Sequence, residues 1–145
     1  MEKIRILVVC VHNSARSQMA EEYIRKYGGN QVEVESAGLE PGRLNPLVIE
    51  VLQEEGIDIS EKQTQSAFDL YKAGKRYDYV ITVCSAEAKE RCPIYPGTKE
   101  RLHWPFDDPS SFHGTRSAKL RKTRKVRDAI KEQVREFTSK LNDSF

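Results

Sequence analysis

The chain predicts an α/β fold, a three-layer sandwich in which a four-stranded parallel sheet is flanked by helices. Three observations lead there. Short apolar or β-branched runs alternate with helical patterns along the chain, the order expected of strand–helix–strand units around a parallel sheet. Two of those runs lead straight into a cysteine, Cys10 and Cys84. The length, 145 residues, is enough for one domain with a real core and short for two, so residues 1–145 are expected to form a single unit.

Ile4 to Val9 reads as the first strand. Ser14 to Tyr27 then places Met19, Ala20, Tyr23 and Ile24 at helical spacing, and Gly28-Gly29-Asn30 stops it. Val32, Val34 and Ser36 alternate with Glu33 and Glu35 as a second strand. Asn45-Pro46 is an N-cap with proline at the first helical position, opening a helix to about Glu55 before Gly56. Tyr77 to Val83 is a third strand, and Ser85 to Arg91 is made of strong helix formers. Arg101 to Trp104 is a short edge strand before Pro105. Ser117 to Lys140 is one long helix with Leu120, Val126, Ile130, Val134, Phe137 and Leu141 as its buried stripe.

A formal net charge of +2 gives no bulk attraction for polyanions, and 38% hydrophobic with 32% charged residues suits a soluble domain. No apolar stretch approaches the ~20 residues of a membrane span, and Ile4–Val11 is too short and broken by Arg5 to be a leader. A cytoplasmic monomer without membrane or nucleic-acid partners is the expectation. The basic run Arg116 to Arg127 carries no interleaved stacking aromatics and reads as the solvated face of a helix.

The chemistry begins at Cys10-Val11-His12-Asn13-Ser14-Ala15-Arg16-Ser17. A buried core cysteine is one reading of Cys10. The other is a nucleophilic thiolate: the strand delivers it to the carboxyl end of a sheet, where open α/β folds bind ligands. The backbone of Val11, His12, Asn13, Ser14, Ala15 and Arg16 can then curl around a tetrahedral oxyanion. The N-terminus of the following helix and the Arg16 fork add positive charge. Asn13 suits a left-handed turn, and the Ser17 hydroxyl can donate to the sulfur. Trp104-Pro105-Phe106-Asp107-Asp108-Pro109 is either an ordinary surface turn or a rigid loop presenting a general acid, Asp108 ahead of Asp107. Taken by themselves, Cys84 and Cys92 could be inert buried thiols, or with His103 part of a zinc site that lacks a C-x2-C pair.

These motifs, with Gln18-Met19-Ala20-Glu21, Ser36-Ala37-Gly38, Gly56-Ile57-Asp58-Ile59-Ser60, Cys92-Pro93 and His103-Trp104, resemble the low-molecular-weight protein tyrosine phosphatase family. More narrowly they resemble the thioredoxin-coupled arsenate reductases built on that phosphotyrosine phosphatase I-like fold. The match runs from residue 4 to about 137. The phosphatase branch would carry proline after the loop serine and a tyrosine pair after Asp-Pro, where this chain has Gln18 and Ser110-Ser111. The resemblance implies that Cys10 attacks arsenate or phosphate, that Arg16 and Ser17 assist, and that Asp108 protonates the leaving oxygen. It also implies that Cys84 and Cys92 relay the resulting disulfide to thioredoxin. A phosphatase using a phospho-cysteine, or an oxyanion-binding redox sensor, is the alternative. His12 stands where the family commonly has glycine. Asn13, Glu21 and Ser36 match ligands of a monovalent cation, potassium, that some relatives hold, with Gln65 in place of the expected carboxylate. If Ser85–Arg91 is helical, Cys84 and Cys92 stand about 12 Å apart along its axis, beyond disulfide reach. That segment would then have to unwind during the relay.

Overall fold

The computed structural model describes residues 3–142. Its four strands are β1 (Ile4–Cys10), β2 (Val32–Gly38), β3 (Tyr79–Thr82) and β4 (Glu100–His103). They form one parallel sheet in the order β2-β1-β3-β4. The chain leaves β1 towards β2 and later returns to β3 on the other side of β1. The carboxyl end of β1 is therefore the topological switch point, and Cys10 is its last residue.

The helices are α1 (Arg16–Gly28), α2 (Pro46–Gln53), α3 (Ala67–Lys72), α4 (Ala86–Lys89) and α5 (Arg116–Asn142). Ile6, Leu7, Val8 and Val9 are wholly buried, as strands covered on both faces must be. Met19, Ala20, Tyr23 and Ile24 form the buried face of α1, and Ile130 and Val134 bury that of α5. The end of α5 is seated on the sheet by aromatic edges: Phe137 meets Tyr79 at 5.5 Å and Trp104 at 5.3 Å between ring centroids.

Several boundaries differ from the sequence reading. The first helix begins at Arg16 instead of Ser14, because Asn13 takes φ 56° and Ala15 is also non-helical. The third strand is shorter than Tyr77–Val83, although its pairing runs on through Asp78 N–H to the Arg5 carbonyl and Val83 N–H to the Val9 carbonyl. Strand β4 starts one residue early. The Ser85–Arg91 segment yields only one turn, Ala86–Lys89, with Ser85 accepting from the Ala88 N–H as its cap. A seven-residue helical spacer between Cys84 and Cys92 is therefore absent. Helix α3 was not expected. Its signal was present: Ser66 caps it by accepting from the Asp69 N–H, the Ser-x-x-Asp pattern of a helix start.

The basic run of α5 has structural work. Arg116 pairs with Glu50, Arg124 binds Glu54 in a fork, and Arg127 reaches both Glu54 and the Val51 carbonyl. These contacts fasten α5 to α2. Among the described residues, no helix is long and apolar enough to cross a membrane.

Candidate active site

The loop after β1 is held from outside. The carbonyls of Cys10, Val11, His12 and Ser14 accept from the N–H groups of Leu39, Glu40, Gly42 and Asn45, and that of Asn13 accepts from Gln18 Nε2. With its carbonyls tied down in this way, the loop keeps its amides as the groups available to an anion. The segment after β2 lies so close that a Cβ at Gly38 would sit 2.8 Å from the Asn13 nitrogen and the Val11 oxygen. Only glycine fits where β2 hands over to this strap. His12, the departure from the family pattern, turns outward, its Nδ1 2.8 Å from the Glu40 carbonyl. The histidine tautomer with a proton on Nδ1 satisfies that contact.

Two donors converge on Cys10 Sγ: the Asn13 N–H at 3.2 Å and the Ser17 hydroxyl at 2.9 Å. The direction of the second follows from its surroundings. Asn13 Oδ1 accepts from the Gln65 N–H, so Asn13 Nδ2 donates to both Ser17 Oγ (2.8 Å) and Ser36 Oγ (2.9 Å). Ser17 already accepts, and its proton is left for the sulfur. Ser36 in turn donates to Glu21 Oε1 at 2.5 Å. The buried line Glu21–Ser36–Asn13–Ser17–Cys10 is thus polarised, with every donor accounted for and the Ser17 proton directed at the sulfur.

Arg16 is buried, and its guanidinium is fixed by the Phe106 carbonyl (3.2 Å) and by Asp108 Oδ2 (3.4 Å). Its Nε is buried without a partner in the protein. A buried, charged donor left unpaired at the mouth of an amide-lined loop is the donor an oxyanion would accept from. Asp108 also caps the 3-10 turn at Pro109–Ser111 by accepting from the Ser110 N–H, and the Ser111 hydroxyl donates to the Asp108 carbonyl. Asn45 Nδ2 donates to Ser110 Oγ, tying the loop 105–111 to the start of α2. Ser110 and Ser111, where tyrosines would mark a phosphatase, are here struts of that loop. Asp107 is exposed and shares neither contact.

All three cysteines are free and buried. Burial first, and then the nearby Cys10, push the Cys84 thiol up, against Arg16 and Arg91. Burial pushes Cys92 up to about 11, with Arg101 opposing and Cys84 adding. The Val83 N–H bonds to the Val9 carbonyl, so Cys84 leaves β3 beside the point where Cys10 ends β1, and the single turn of α4 lies between Cys84 and Cys92. The sequence reading missed Phe106 as an anchor for Arg16 and the strap 39–45 as the outer wall of the cradle. Both act through backbone atoms, which side-chain identity does not advertise.

The cation suggested by Asn13, Glu21 and Ser36 does not fit. Asn13 offers Nδ2 to this corner and spends Oδ1 on Gln65 N–H; Gln65 Nε2 donates to Ser36 O and Glu35. Glu21 already has cations: Lys62 Nζ at 2.7 Å, and Arg25. Burial raises the Glu21 carboxyl, but Lys62, Ser36 and Arg25 together bring it below its ordinary value. Among the described residues no cluster of His, Cys, Asp or Glu is suited to a metal ion.

A relative from Halalkalibacterium halodurans, an arsenate reductase, is 42% identical over 137 residues, covering 94% of this chain and 96% of its own. A solved arsenate reductase in a phosphate-binding state superposes with TM-score 0.77 at 30% identity, covering 94% of this chain and 98% of that one. A thioredoxin-dependent arsenate reductase from Corynebacterium glutamicum gives TM-score 0.73 at 31% identity, over 99% of this chain and 64% of that one. The model of the low molecular weight phosphotyrosine protein phosphatase family matches residues 5–144. With Cys10 at the switch point of the sheet and that match spanning nearly its whole length, the chain belongs to the low molecular weight phosphotyrosine protein phosphatase family.

Proposed function

We propose that this chain, acting as one domain, is an arsenate reductase that passes electrons through three thiols. The Cys10 thiolate attacks the arsenic of arsenate held by the amides of Val11–Arg16 and by the Arg16 guanidinium. Asp108 gives a proton to the oxygen that leaves as water. Cys84 then attacks Cys10 Sγ. The S–S bond forms, the S–As bond breaks, and its electron pair stays on arsenic, which departs as arsenite. Cys92 attacks Cys84 Sγ and expels the Cys10 thiolate, leaving a Cys84–Cys92 disulfide for a thioredoxin-like reductant. No step runs through potassium, whose corner is filled by Lys62.

The observation that carries this reading is the pair of free, buried thiols Cys84 and Cys92, the first leaving β3 beside the end of β1 where Cys10 stands and the second one helical turn further on. Hydrolysis of a phospho-cysteine would need Cys10 alone. The test is a single-turnover thiol count on fully reduced protein mixed with arsenate, with disulfides mapped by mass spectrometry. Loss of two thiols, one arsenite released and a Cys84–Cys92 bond are expected. Three intact thiols would defeat the reading and leave Cys10 as the nucleophile of a phosphatase, to be tried on phosphate esters.

A further inference from the structure

We propose that a small oxyanion of the phosphate class binds at a second place in this protein, the cavity between β3, β4 and α4 where Lys89, Arg101 and His103 converge.

The register of the sheet builds the floor of this cavity. Val80 pairs with Arg101 and Thr82 with His103, so these four side chains leave β3 and β4 on one face. Lys89, the last residue of α4, and Leu102 complete the lining around a volume of about 260 Å³. Pockets for larger organic ligands begin near 300 Å³, whereas a water takes roughly 30 Å³, so the space suits one tetrahedral anion with a few waters.

Charge selects the occupant. The lining carries three basic side chains and no carboxylate. Elsewhere cations are neutralised, Lys62 by Glu21, Arg124 and Arg127 by Glu54, and Lys131 by Glu55. Among the described residues, Lys89 and Arg101 meet no such partner. Thr82, only 3% exposed, holds His103 Nδ1 at 2.8 Å and leaves Nε2 for a ligand. That nitrogen donates to an anion both in the imidazolium and in the neutral tautomer whose Nδ1 accepts from Thr82.

An anion in this cavity bears on the three-thiol reading above. The Lys89 carbonyl accepts from the Cys92 N–H at 3.2 Å, so Lys89 is tied to the third thiol. An anion bridging Lys89 to Arg101 and His103 fastens the single turn of α4 to the sheet, and Cys92 with it. It also engages Arg101, the charge that opposes the effect of burial on the Cys92 thiol. Both effects slow the attack of Cys92 on Cys84, and excess oxyanion thereby restrains the relay.

The test follows the reduced full-length chain by NMR during titration with inorganic phosphate. Two separate isotherms are expected, one from residues 10–17 and one from Thr82, Lys89, Arg101 and His103. Lys89→Gln with Arg101→Gln should weaken the second by about tenfold or more, two charge-assisted bonds being lost. The first should stay within about twofold, which also shows the variant to be folded. A single isotherm shared by both groups, no shift at the cavity, or a double variant with both isotherms unchanged would overturn the proposal. In a single turnover on limiting arsenate, added phosphate should lengthen the life of the Cys10–Cys84 disulfide about threefold, and leave it unaltered in the double variant. Acid quench and mass mapping read that lifetime, and one that phosphate does not change in the wild type would remove the restraint on the relay. The isotherms need no electron transfer and so test the site apart from the reductase reading. Absence of any Cys10–Cys84 disulfide in the wild type would strike that reading instead.

Discussion

Asp108 does two jobs through one carboxyl group: it meets Arg16 at 3.4 Å and caps the turn that follows it. Asparagine keeps the cap and the shape of the loop but has no proton to give. Asp108→Asn should therefore lower kcat with arsenate by roughly 10²-fold or more, the usual scale for a lost general acid. Competitive inhibition by phosphate should persist, because the cradle and Arg16 are untouched. Stopped-flow arsenite release separates the two quantities, and a variant with full kcat would remove Asp108 from the mechanism. At this scale the sequence was most legible. Cys10, Asn13, Arg16, Ser17 and Asp108 were all named from motif and spacing, and they stand together. The roles of Glu40 and Phe106 were not foreseen, because each contributes a main-chain carbonyl, and any residue supplies one.

Elements decide what single residues cannot. Glu21 on α1 and Ser36 on β2 match a cation corner by identity, yet Lys62, from the loop between α2 and α3, places its ammonium against Glu21. Turnover and thermal stability should thus be the same in potassium as in sodium at equal ionic strength. Lys62→Met should cost about 1–3 kcal/mol, between the limits for exposed and buried pairs. Denaturant titration gives the second figure, and a rise in Tm or kcat/KM specific to potassium in the wild type would refute the first. Helix α4 shows the opposite case. Ser85 to Arg91 has helical propensity throughout, but only Ala86–Lys89 forms, since a short helix gains little without a face to bury. Ala88 is its one buried residue. A segment so lightly held is suited to moving Cys92 towards Cys84.

Across the whole molecule, carboxylates paired with cations join elements distant in sequence. Hydrogen bonds from Arg124 and Arg127 hold Glu54 below its ordinary value, those from Lys131 and Tyr23 do the same for Glu55, and Glu21 is lowered by Lys62. Each group binds protons less readily folded than unfolded, so its contribution is complete above the unfolded value near 4.5 and disappears as pH falls through the lower folded value. Thermal midpoints should hold from pH 7 to about 5 and drop steadily below about 4.5. Glu54→Gln should flatten part of that fall, as calorimetry over this range would show, and an unchanged acid slope would contradict the assignment. The alternation of strand and helix, the cysteine at the end of β1 and the order of the motifs were determined by the sequence itself, because periodicity, capping and turn chemistry are local. Only the tertiary structure decided that Lys62 fills the cation corner and that Arg116, Arg124 and Arg127 fasten α5 to α2. These are contacts between segments far apart in the chain, and packing, rather than propensity, chooses them.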